Sequence, residues 1–60
     1  MEFAQEDIDE IRAMALMELF KNLELIRSEI PGLEGEERAQ AEAWAALFDK
    51  EIDRRFDMGY

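Results

Sequence analysis

Apolar residues recur through the first half of the chain at alternating spacings of three and four. This spacing puts them on one stripe of an α-helix. The stripe consists of Leu16, Leu19, Leu23, Ile26 and Ile30. No Gly or Pro interrupts the chain before Pro31, and acidic residues cluster near its start, where they favour the positive end of a helix dipole. The pattern predicts a first helix over about 5–30.

A turn signal follows the stripe directly. Pro31 and Gly32 end the helical pattern, and Gly35 comes three residues later, so we expect a turn over 31–34. A second apolar stripe then predicts a helix over about 35–57, with basic residues gathered at its negative end. The residues of this second stripe are Ala41, Trp44, Ala45, Phe48, Ile52 and Phe56.

The two stripes predict one all-α domain over 1–60, an antiparallel two-helix hairpin. A chain of 60 residues buries a small share of its surface, and this one has no Cys for disulfides and no His for a typical metal site. Association with a second copy is the remaining source of stability. We therefore expect the hairpin to form a homodimer or higher oligomer, as a four-helix bundle.

More apolar surface is present than one partner helix covers. Met14, Met17, Phe20 and Leu25 lie beside or away from the first stripe, and Trp44 and Leu47 flank the second. Methionine adapts to irregular partners, so this surface suits either a second hairpin, the preferred interpretation, or a different protein. The expected interface comprises Met14, Met17, Leu19, Phe20, Leu23, Trp44, Leu47 and Phe48.

Arg12 falls where the first stripe continues toward the N-terminus, which is an unusual position for a charge. In the hairpin pairing Asp49 and Asp53 lie opposite, so we expect a partly buried ion pair between Arg12 and one of them that specifies the register. The alternative is an exposed arginine that anchors a partner protein.

Asp49, Asp53 and Asp57 follow each other at intervals of four and form an acidic stripe on one helix face. A solvated face is the preferred interpretation. The alternative is an acidic decoy that imitates DNA phosphates and blocks a nucleic-acid-binding protein. Metal binding is disfavoured, because helix-bundle metal sites of this kind combine carboxylates with His.

The composition excludes several classes of function. A net charge of −9, from 16 acidic and 7 basic residues, disfavours direct binding to nucleic acid or anionic membranes. Ser28 is the one Ser, and the chain has no Thr, His or Cys, so we expect no enzyme and no cofactor. The N-terminus resembles no signal peptide, and no run is long enough to span a membrane.

We expect a cytoplasmic protein–protein interaction or regulatory module, for example an adaptor or inhibitor of a larger protein. A purely structural scaffold piece is a further alternative.

Overall fold

The computed structural model describes residues 3–58, and every regular element in that part of the chain is helical. Helix α1 spans Gln5–Ala13, α2 spans Leu16–Glu29 and α3 spans Gly35–Asp57, with a short 3₁₀ turn over Ile30–Gly32. The predicted all-α class is confirmed. The ends of the predicted domain, residues 1–2 and 59–60, lie outside the described residues.

The predicted single helix over 5–30 is wrong, because the chain leaves the helical conformation between α1 and α2. Met14 has φ −74° and ψ 145°, and Ala15 has φ −67° and ψ 151°, both extended. Neither Gly nor Pro marks this break. The fold is therefore three packed helices and not a simple two-helix hairpin.

Side-chain burial explains why the break is favourable. In one continuous helix Ile11 would lie about 80° around the axis from Leu19, while Arg12 would fall on the apolar stripe. The break reorients α1, so that Ile11 is buried in the core and Arg12 is exposed. Two extended residues cost little conformational energy, whereas an arginine inside the stripe would be expensive to desolvate.

The connection between α2 and α3 follows the turn signal. Pro31 lies within the 3₁₀ turn, and the amide of Leu33 donates to the carbonyl of Ile30 at 3.0 Å. Gly35, the first residue of α3, has φ +62°. A Cβ there would meet no atom within 4 Å, so the requirement for glycine comes from the backbone conformation alone.

The core lies where α2 and α1 meet the same side of α3. Its buried apolar residues are Ile11, Leu19, Leu23, Ala45, Phe48 and Ile52. Leu19 is the one that is fully buried, and the ring of Trp44 packs at the margin, 4.7 Å from the ring of Phe3 in edge-on geometry. Phe56, which the sequence placed on the core stripe, is exposed instead.

Leu19→Asp should abolish the cooperative thermal melt, because a carboxylate at the fully buried position has no cation to pair with. We expect a loss of at least about 3 kcal/mol, a large part of the stability of so small a domain. Leu25→Asp is the matched control, since Leu25 lies on the same helix and is exposed. Circular dichroism melts measure both, and a Leu19→Asp protein that melts like the control would contradict this core.

Candidate functional site

A buried ion pair on α3 is the main polar feature of the interior. Glu51 and Arg55 lie one helical turn apart, and both are more than nine-tenths buried. The Nε of Arg55 donates to Oε2 of Glu51 at 2.8 Å. Arg54, which is exposed, donates to the same carboxylate through Nε at 2.8 Å and Nη2 at 2.9 Å. One carboxylate is thus held by two guanidinium groups.

Arg55 also joins α3 to the end of α1. Its Nη2 donates to the backbone carbonyl of Arg12 at 3.0 Å and, more weakly, to that of Ile11 at 3.4 Å. These carbonyls lie in the last turn of α1, where the helix dipole attracts a positive charge and where the carbonyl of Ile11 also accepts from the amide of Met14 at 3.2 Å. Among residues 3–58, no buried side-chain nitrogen or oxygen lacks a hydrogen-bond partner.

The two arginines change the acidity of Glu51. The hydrogen bond from Arg54 is the largest cause; together with that from Arg55 and the attraction of both charges, it outweighs burial, which acts in the opposite direction. The pKa of Glu51 falls from its ordinary value of 4.5 to about 2. The same hydrogen bond raises the pKa of Arg54. Glu51 is therefore ionised in the folded protein at neutral pH.

The expected ion pair between Arg12 and Asp49 or Asp53 is absent from the described residues. Arg12 is exposed, and Asp49 pairs with Arg27 of α2. The physical reason is the break at Met14 and Ala15, which removes Arg12 from the stripe on which the pairing was based. Arg55 occupies the buried position that the sequence assigned to Arg12.

The three residues of the acidic stripe have different surroundings. Asp49 is half-buried in its pair with Arg27, whereas Asp53 and Asp57 are exposed. Within residues 3–58, no group of acidic side chains is arranged to hold a metal ion. In the same part of the chain, no helix has the length and apolar character needed to cross a membrane.

The expected interface residues separate into three groups. Leu19, Leu23 and Phe48 are buried in the core of the single chain, while Met14, Trp44 and Leu47 are half-buried against it. Met17 and Phe20 are exposed, by 74% and 47%. Phe56 and Leu25 are exposed as well, by 57% and 60%.

Helix geometry places Met17, Phe20 and Phe56 together, and we call these three the apolar edge. Phe20 precedes Arg27 by seven residues, and Phe56 follows Asp49 by seven, so each lies two turns along the same helix side. Because Arg27 and Asp49 pair across the α2–α3 contact, both phenylalanines lie on that side of the helix pair. Met17 adjoins Phe20 one turn earlier. Leu25 points about 140° away from Phe20 and is not part of the edge.

Two adjoining hollows lie on the other side of α3, where α1 packs. The larger, of about 470 Å³, has Ile8, Ile11 and Leu47 among its lining residues, and we call it the trough. The smaller, of about 380 Å³, we call the arginine cleft. Its lining residues are Arg12, Met14, Ala15, Arg54, Arg55 and Met58.

Sequence periodicity does not predict that Arg55 is buried, although the sequence contains one indication of it. Ile52 continues its stripe to Arg55 at a spacing of three and to Phe56 at a spacing of four. Hydrophobicity favours Phe56 over Arg55 as the buried residue that continues the stripe. The presence of Glu51 four residues before Arg55, at ion-pair spacing, was the evidence for the other choice.

Comparison with known proteins finds no match to this chain among protein-family models, curated sequences or solved structures.

Arg55→Met should destabilise the protein by roughly 2 to 4 kcal/mol, because it removes one partner of a buried pair and the donor to the last turn of α1. Arg12→Met, the same change at an exposed arginine, should alter stability by less than about 0.5 kcal/mol. Urea unfolding followed by circular dichroism measures both variants. Equal effects would show that Arg55 does not hold α1 in place.

The stability that Glu51 contributes should disappear in acid. Its pKa in the folded protein lies below that of the unfolded chain, so the contribution is complete above pH 4.5 and is lost as the pH falls toward 2. Glu51→Gln should therefore be destabilising at about pH 6, and its difference from wild type should shrink toward about pH 2. Urea unfolding at both values tests this. Glu42→Gln is the control, since its pair with Arg38 is exposed; a constant Glu51→Gln deficit would contradict the assignment.

Proposed function

We propose that this chain is a small protein–protein interaction module that assembles with a second copy through the apolar edge. The observation that supports the proposal is the exposure of Met17, Phe20 and Phe56 on one side of the α2–α3 pair. In this assembly α2 and α3 of each copy form the four-helix bundle expected from the sequence, with each α1 outside it.

The position of α1 supports this choice of surface. Leu47 lines the trough beside α1 and lies nine residues before Phe56, which is about 180° around α3. Arg55, which bonds α1, lies about 100° around α3 from Phe56, so α1 packs away from the apolar edge and leaves it uncovered. A second copy can reach the edge without displacing any described part of the fold.

The energetics favour covering the edge. Only six apolar residues of the described chain are buried, which is a small core. Removing a large apolar side chain from water contributes roughly 1.5 to 3 kcal/mol, and a two-fold symmetric interface uses each residue twice. Three such side chains per copy supply enough to offset much of the cost of association.

The acidic decoy has less support. Asp49 forms an ion pair with Arg27. Within residues 3–58, only Asp53 and Asp57 of the predicted stripe of three aspartates are therefore exposed without an ion pair. A DNA mimic needs a longer regular array of negative charge to match a phosphate backbone. The apolar edge, in contrast, gives a partner protein a surface whose burial is favourable at any ionic strength.

Analytical ultracentrifugation on the order of tens of micromolar should show a dimer or higher oligomer that dissociates on dilution. Phe20→Ser and Phe56→Ser should each raise the dissociation constant more than about 100-fold, because the side chain is lost twice per dimer. Leu25→Ser is the matched control and should leave association unchanged, since Leu25 is equally exposed but lies off the edge.

Thermal melts of the three variants accompany the sedimentation, because all three positions are exposed and should keep the α-helical spectrum. A wild-type protein that is monomeric across this range contradicts self-association. Equal weakening by Leu25→Ser and Phe20→Ser would place the contact on a different surface.

A further inference from the structure

The trough and the arginine cleft adjoin each other and differ in chemistry. Arg12, Arg54 and Met58 line both hollows. Ile8 and Ile11 of α1 and Leu47 of α3 form the apolar part of the trough lining, and charged residues of α3 form much of the rest. Three arginines, Arg12, Arg54 and Arg55, line the cleft end, and no acidic residue lines that end. The shape and chemistry are those of a site for a molecule with an apolar body and an anionic head.

Arg12 supplies the free charge of this site. Arg54 and Arg55 share the Glu51 carboxylate. The two hollows together are lined by four cationic residues and three acidic ones, which are Arg12, Lys50, Arg54 and Arg55 against Glu51, Asp53 and Asp57. The guanidinium of Arg12 makes no ion pair within residues 3–58, although the chain carries more than two acids for each basic residue. An arginine that stays unpaired beside an apolar hollow, in so acidic a chain, is available to an external anion.

The charge of the whole protein restricts which anion fits. A net charge of −9 repels polyanions, and Asp53 and Asp57 are among the residues that line the trough. Repulsion grows with each charge of the ligand, whereas the planar guanidinium group holds a single carboxylate by two parallel hydrogen bonds. A ligand with one negative charge and a long apolar part combines favourable burial and a guanidinium contact with the least electrostatic repulsion.

We propose that the trough and arginine cleft bind a monocarboxylate with a medium-length alkyl chain. The carboxylate lies between Arg12 and Arg54, and the alkyl chain lies along Ile8, Ile11 and Leu47. A hollow of about 470 Å³ is within the range of small-molecule sites, roughly 300 to 1,000 Å³. This site is separate from the apolar edge and shares no residue with it, so either proposal stands if the other fails.

The test is a titration of the full chain with decanoate, below its micelle concentration, followed by NMR of the methyl groups. We expect saturable shifts of the Ile11 and Leu47 methyl signals, with those of Met17 and Leu25 unmoved as internal references. Arg12→Gln should weaken binding at least about tenfold. Its melt should match that of wild type, because the Arg12 side chain is exposed.

Arg38→Gln is the matched control, since it removes another exposed arginine, which lies outside both hollows. Binding of decanoate to this variant should equal that of wild type. Decanol, which has the alkyl chain without the charge, should bind at least about tenfold more weakly than decanoate.

Three outcomes overturn the proposal. Equal binding of decanol and decanoate would mean that the arginines do not select the head group. Equal losses in Arg12→Gln and Arg38→Gln would mean that only net charge matters. Shifts confined to Met17 and Leu25 would place the alkyl chain on α2 and leave the trough empty.

Discussion

The fold depends on the hydrogen bonds that the Arg55 side chain donates to backbone carbonyls at the end of α1. In a continuous helix the carbonyls of Ile11 and Arg12 would accept from the amides of Ala15 and Leu16. The break removes both donors. At the carbonyl of Arg12, the side chain of Arg55 donates in place of the missing amide. The carbonyl of Ile11 accepts from the amide of Met14 and, more weakly, from Arg55. Buried backbone carbonyls are costly to leave unpaired, so the break and Arg55 depend on each other.

That dependence explains how much of the fold the sequence predicted. The stripe from Leu19 to Ile30, the turn after it and the α3 stripe through Phe48 and Ile52 all follow from local periodicity, which survives in the structure. The break between α1 and α2 does not follow from local periodicity, because Met14 and Ala15 are ordinary helix formers. Their extended backbone is stabilised by contacts with residues more than forty positions away along the chain. Local propensity holds no information about such a donor.

The candidate site was harder to predict for a related reason. Helical periodicity assigns a residue to a face only to within one spacing of three or four, and at the end of α3 this left a choice between Arg55 and Phe56. Hydrophobicity alone selects Phe56. Burial of Arg55 is favourable because Glu51 neutralises its charge and carbonyls of α1 accept hydrogen bonds from it. Burial of Arg55 also affects the surface, because the ring of Phe56, which was expected in the core, is exposed on the apolar edge.

The same interaction links the two sides of α3. The trough exists only while α1 is docked, since Ile8 and Ile11 form one of its walls, and docking relies on Arg55. Any ligand that binds only this docked form stabilises it by mass action. The apolar edge contains no residue of α1, so assembly through it proceeds without that requirement. Loss of the Glu51 charge would therefore weaken the trough before the edge, because the ion pair holds α1 directly and reaches α2 only through the shared core.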